Sequence, residues 1–202
     1  MWILVLAVAG SLAFAAPAFA QSDRETSVAP EAEVETEMVE PSRAERLDML
    51  FATLKSSPDA EAAKSAEDDI IKLWLESGSD TVDLLMGWTL AAMEEKNYAL
   101  ALDYLDRIVT MKPDYAEGWN KRATVHFLVD DYSKAIADIE RTLALEPRHF
   151  GALSGLGTIM RDIGDNGRAV TAYRQALDVD PHLDNVKQAL DEIEKEGSGE
   201  EI

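Results

Sequence analysis

His126, His149 and His182 are the residues of this chain best suited to acid–base or metal chemistry, and their surroundings decide whether they can perform it. A nucleophile with its base, a zinc-binding histidine pair or a phosphate-cradling glycine loop each demands a fixed spacing, because the reacting atoms must converge within hydrogen-bond reach. None of those spacings occurs in the sequence. The run from Asp162 to Gly167 places oxygen-bearing side chains close together, as a calcium loop does, yet Gly164 stands where a ligand is needed and Tyr173 where the closing glutamate belongs. Asp165, Asn166 and Gly167 are better read as turn residues, as is the pair Asp130 and Asp131. With no cysteine there is no thiolate ligand and no disulfide. The expectation is a protein that is not an enzyme, with packing or capping roles for its histidines, no cofactor and no metal.

The elements that carry these residues are set by a period. Pro113, Pro147 and Pro181 stand 34 residues apart, and a repeat of that length signals stacked supersecondary units. Aligned at that period, the windows 82–115, 116–149 and 150–183 each read as helix, tight turn, helix. Ala101, Ala135 and Ala169 share a column where a small side chain lets two helices approach closely. Leu102, Ile136 and Val170 lie beside it, and Leu105, Ile139 and Tyr173 follow four residues after the alanines. Val109, Leu143 and Leu177 complete the apolar stripe. Each window closes on its proline, which cannot continue a helix. Before the array, Ser42 and Glu45 form a capping box, so a helix is expected over 43–56. Ser57 and Pro58 then open a second, with Ala63, Ala66, Ile70 and Trp74 on one face. Extending the period backward puts Lys55 and Glu67 at the two small positions, so 42–78 is expected to be a divergent N-terminal helix pair that caps the stack. Leu183, Val186, Leu190 and Ile193 give an amphipathic C-terminal capping helix over 183–196, with 197–202 a tail.

The pattern resembles the tetratricopeptide repeat family, whose units have small residues at the eighth and twentieth positions. The eighth positions here are Thr89, Ala123 and Gly157; the fourth are Leu85, Trp119 and Leu153, so only the middle unit has the family's tryptophan. The resemblance implies an all-α, right-handed superhelical solenoid, in which positions two, five, nine and twelve of each unit point into a concave groove. They are Asp83, Met86, Leu90 and Met93; Glu117, Asn120, Thr124 and Phe127; and Gly151, Ser154, Thr158 and Arg161. The candidate peptide-binding residues are Asn120, Thr124, Phe127, Ser154, Thr158 and Arg161. Asn120 can hold a peptide backbone, Phe127 an apolar side chain and Arg161 an anion. For Met86, Leu90, Met93 and Phe127 the alternative is simple burial. Lys121 and Asn120 are the only residues of their types at the positions with which some family members clamp a C-terminal carboxylate, so that mode is not expected here.

Residues 1–20 carry no ionisable side chain and end in Ala18-Phe19-Ala20, which fits a signal peptide cleaved after Ala20; the alternative for the same run is a retained anchor. Residues 21–41 hold seven acids against Arg24 and read as an acidic disordered linker. The net charge of −20 argues against nucleic acid and anionic membrane surfaces as partners. The sequence thus points to a monomeric, extracytoplasmic protein of bacterial type, most simply periplasmic, that binds a protein or peptide as an interaction module or assembly factor of the cell envelope. The alternative is a self-associating structural protein of the envelope.

Overall fold

A computed structural model of the protein describes residues 40–198; the expected signal peptide, all but the last two residues of the linker and the end of the tail lie outside that range. The described residues form nine helices and no strand: α1 (Arg43–Ser56), α2 (Ala60–Leu75), α3 (Asp80–Glu94), α4 (Tyr98–Met111), α5 (Ala116–Leu128), α6 (Tyr132–Leu145), α7 (Phe150–Asp162), α8 (Asn166–Val179) and α9 (Asp184–Ser198). α3–α4, α5–α6 and α7–α8 are the three hairpins of the array, and α4 packs on α5, α6 on α7 and α8 on α9.

Each hairpin turn is built the same way. The side chains of Asn97, Asp131 and Asp165 accept hydrogen bonds from the backbone N–H groups of Leu100, Lys134 and Arg168 at 3.3, 3.4 and 3.0 Å, satisfying donors that a helix start leaves unpaired. The residue before each cap has positive φ: Lys96 at 57°, Asp130 at 58° and Gly164 at 81°. Only Gly164 adopts it without a side-chain penalty. Within the hairpins Ala101, Ala135 and Ala169 are wholly buried, as close helix approach requires. At Gly157 the helices come closer still: an added Cβ would lie 2.5 Å from Cδ1 of buried Tyr173. α9 contributes Val186 and Ile193 to the core of the last unit, alongside Ala169, Tyr173 and Ala176.

The N-terminal pair begins as expected, with Ser42 and Glu45 capping reciprocally. The second helix starts later than Ser57 and Pro58 suggest, because Asp59 is the cap, its carboxylate accepting from the Glu61 N–H at 3.1 Å. The larger difference is where the pair sits. Expected to cover the start of the stack, it lies instead along the turns that join the units. Leu47, Phe51, Leu54, Ile70 and Trp74 enclose Phe150, with Val179 and Leu183 packed against them. Trp74 stacks on the His149 ring, centroids 4.0 Å apart and planes 10° from parallel. The Tyr115 hydroxyl donates to the Leu75 carbonyl at 2.8 Å, and Arg148 pairs with Asp48 at 2.7 Å while lying over the Phe51 ring. The pair therefore touches the turns before α5, α7 and α9. The reason is steric: with Lys55 and Glu67 at the small positions it cannot interdigitate as a repeat unit, whereas its apolar stripe matches the aromatic and aliphatic residues of the turns.

Gly157→Ala is expected to lower stability by about 1–2 kcal/mol, since overpacking against Tyr173 outweighs the helix-propensity gain of about 1 kcal/mol. Gly155→Ala, whose Cβ would sit 3.8 Å from Ile139 Cδ1, is expected to be neutral or slightly stabilising. Urea unfolding of the two variants side by side checks the difference.

Candidate peptide-binding groove

α5 and α7 lie side by side and enclose a cleft of about 130 Å3. Its rim is Asn120, Thr124 and Phe127 from α5 with Gly151, Gly155 and Thr158 from α7; Ala123, Ile139, Ala152 and Ile159 complete the lining. Sites for whole small molecules measure several hundred Å3, so this one admits a single side chain. The cleft exists because Gly151 and Gly155 add no side chain on α7, and none of its lining residues is charged.

Four of the six residues expected to carry recognition, Asn120, Thr124, Phe127 and Thr158, meet at this cleft. The hydroxyls of Thr124 and Thr158 donate to the carbonyls of Asn120 and Ser154, 3.0 and 3.1 Å away; Thr158 Oγ1 in turn accepts from the Tyr173 hydroxyl at 3.2 Å, which leaves Thr124 as the more available acceptor towards a ligand. The Asn120 amide donates to Glu117 Oε2 at 3.1 Å, and the Phe127 ring stacks on Tyr132. Ser154 is not among the lining residues; its hydroxyl donates to the Phe150 carbonyl. Arg161 is not in the lining either. Its guanidinium pairs with Glu192 at 2.9 Å and Glu196 at 3.7 Å, both on α9, which sequence spacing could not reveal because the partners come from the helix beyond the last repeat. Of the α3 row, Met86 is buried in the α3–α4 core, Leu90 and Met93 pack against that core, and the Asp83 carboxylate accepts from the Ser77 N–H.

Glu117 forms a polar junction under the groove that the sequence does not announce. Its carboxylate is 3% exposed, yet it accepts from His149 Nε2 at 2.8 Å, from the Lys121 ammonium at 2.9 Å and from Asn120. His149 Nδ1 accepts the Ala152 N–H at 3.1 Å and so caps α7; the ring proton is therefore on Nε2, directed at Glu117. Burial is the largest single influence on the Glu117 carboxyl and pushes its pKa up, but the His149 hydrogen bond and the Lys121 charge together outweigh it and hold the pKa below the ordinary value. A second such junction joins units one and two: Arg122 grips buried Asp138 through two hydrogen bonds of 2.8 and 2.7 Å and reaches Asp106 on α4 at 2.9 Å. His126, also buried, lies 3.9 Å from Asp138 and is driven toward its neutral form by burial.

A carboxyl whose folded pKa is depressed stabilises the fold fully above its unfolded pKa, about 4.3 for glutamate, and loses that contribution as pH falls through the folded value. Thermal unfolding from pH 7 to pH 3 should show this loss in the wild type. Glu117→Gln should be less stable at pH 7 by about 1.5–3 kcal/mol, the value of a hydrogen bond to a charged group, and should have a flatter acid limb. An unchanged acid limb in the variant would count against the role assigned to Glu117.

A tetratricopeptide repeat family model matches residues 120–184. A TPR repeat-containing protein of Rhizobium etli is 46% identical over 137 residues, spanning 68% of this chain and 67% of the relative. Small glutamine-rich tetratricopeptide repeat-containing protein 2 of Saccharomyces cerevisiae is 29% identical over 99 residues, which is 49% of this chain but 28% of that protein. Among solved structures, the Sgt2 TPR domain from Aspergillus fumigatus has a TM-score of 0.56 at 24% identity, covering 59% of this chain and 81% of that one. The first TPR of Spaghetti, bound to an HSP90 peptide, has a TM-score of 0.56 at 18% identity, covering 58% and 93%; at such identities the likeness speaks for the fold alone. With the R. etli protein matched over two thirds of its length and helical hairpins stacked at a 34-residue period, the chain belongs to the tetratricopeptide repeat family.

Proposed function

We propose that the protein is a non-catalytic interaction module that holds an extended polypeptide segment in the groove and seats one apolar side chain of it between α5 and α7. The observation that carries this reading is the uncharged cleft in which Asn120, Thr124, Phe127 and Thr158 converge. Peptide binding by a similar fold, the first TPR of Spaghetti with its HSP90 peptide, supports it. The chemistry of this groove differs from a carboxylate clamp. Position two of the middle unit is an acid, Glu117, and the Lys121 ammonium is engaged by it at 2.9 Å. Arg161 is engaged by α9. The segment is therefore recognised by an internal apolar residue and its flanking backbone rather than by a terminal carboxylate. The cell envelope is the proposed compartment, supported by the apolar leader-like run that ends at Ala20.

Peptides selected from a random display library against the full chain should share an apolar residue at one position. Replacing both Asn120 and Phe127 with alanine should weaken them by about 2 kcal/mol or more, as expected when a buried anchor contact is lost. Retention of full affinity by that double variant would refute the groove assignment. For the compartment, the N-terminal residue of the protein purified from its natural host should be Gln21 in the envelope fraction; an unprocessed chain in the cytoplasm would refute it.

A further inference from the structure

The first helices of units two and three each carry a column that receives the second helix of the unit before. On α5 it is Gly118, Arg122 and Val125: a Cβ at Gly118 would lie 2.8 Å from Ile108 of α4, Arg122 reaches Asp106 of α4, and Val125 is buried in the α3–α4 core. On α7 it is Ala152, Leu156 and Ile159: Ala152 and Ile159 are buried in the core that joins units two and three, and half-buried Leu156 packs against it. The same column on α3 is Leu84, Trp88 and Ala91. Because α1–α2 lies along the turns, the column is uncovered: Leu84 is 54% exposed, Trp88 48%, and Ala91 is exposed. Tyr104 of α4 extends it, its ring 5.8 Å from that of Trp88.

We propose that this face docks an amphipathic α-helix of a partner protein, laid on α3 as α4 lies on α5, with small residues where it crosses Leu84 and Trp88 and basic residues on its flanks. The shape follows from continuity, since the same column accepts a helix twice within this chain. The small residues follow from an inversion of bulk. α5 and α7 present Gly118 and Ala152 at the third position and admit a large residue such as Ile108, whereas α3 presents Leu84 there and Trp88 one turn on, so the incoming helix must supply the space. The charge follows from the surroundings. α3 has no basic residue, and Asp80, Asp83, Glu94 and Glu95 are exposed along it, with Asp103 on α4; Lys96 and Arg107 offset only part of this. A second copy of this chain would set two acidic rims and two bulky columns against each other, which disfavours it as the occupant. Leu84, Trp88 and Ala91 are not among the residues that line the α5–α7 cleft, so a substitution in one surface leaves the other's lining unchanged.

Two fluorescein-labelled synthetic helices of about 20 residues, long enough to cross a unit, provide the test: both carry an alanine stripe, one with lysine flanks and one with glutamate flanks. Fluorescence anisotropy with the full chain should show binding of the lysine helix and not of the glutamate helix. Leu84→Ser combined with Trp88→Ser should weaken it by at least about tenfold, as for an interface anchor, while Phe127→Ala should leave it unchanged. Both replaced residues are exposed, and circular dichroism confirms that the variant is folded. The proposal is overturned if neither helix binds, if both bind equally, or if the double variant binds as well as the wild type. A wild-type dimer in light scattering that the double variant dissolves would also overturn it, by making a second copy the occupant.

Discussion

The contact on which the rest of this molecule turns is the stack of Trp74 on His149 above the Glu117 carboxylate. His149 does three things at once: it caps α7 through Nδ1, donates through Nε2 to a carboxylate almost removed from water, and offers its ring face to the N-terminal helix pair. Each role constrains the others. A ring whose two nitrogens are both bonded in its plane is fixed in orientation and so presents a set face to Trp74, and a buried carboxylate is tolerable only while its donors stay in place. An aromatic stack contributes roughly 0.5–1.5 kcal/mol beyond the area it buries, so the junction fixes orientation more than it supplies stability.

Two surface features follow from that placement. With α1–α2 on the turns, Leu75 at the end of α2 packs against the α3–α4 core, while the α3 column of Leu84, Trp88 and Ala91 remains in water. Polar groups nearest the groove are drawn inward as well, since Glu117 accepts one hydrogen bond from Asn120 and pairs with Lys121. What is left between α5 and α7 is an uncharged cleft shaped by two glycines and an isoleucine floor. That lining is uncharged even though the chain as a whole carries −20.

Much of the array was legible before any coordinates. The 34-residue period gave three hairpins, the buried alanine column and the turn residues, because each is a local demand: a cap needs a short oxygen-bearing side chain, a close crossing needs a small residue, and a proline stops a helix. Four of the six candidate residues, Asn120, Thr124, Phe127 and Thr158, line one cleft, since their direction is inherited from helix periodicity alone. Arg161 has the same periodicity and points to a different outcome, because Glu192 and Glu196 come from outside the repeat and its charge had no way to declare its partner in advance.

By itself the sequence determined the helical class and the register of the three units, both of which depend on residues a few positions apart. Only the tertiary structure decided that α1–α2 lies across the turns, that Glu117 and His149 form a buried pair 32 residues apart, and that Leu84 and Trp88 face water. The physical reason is common to all three. They depend on which surfaces meet across long stretches of chain, and an amphipathic helix states that it must bury a face without stating against what.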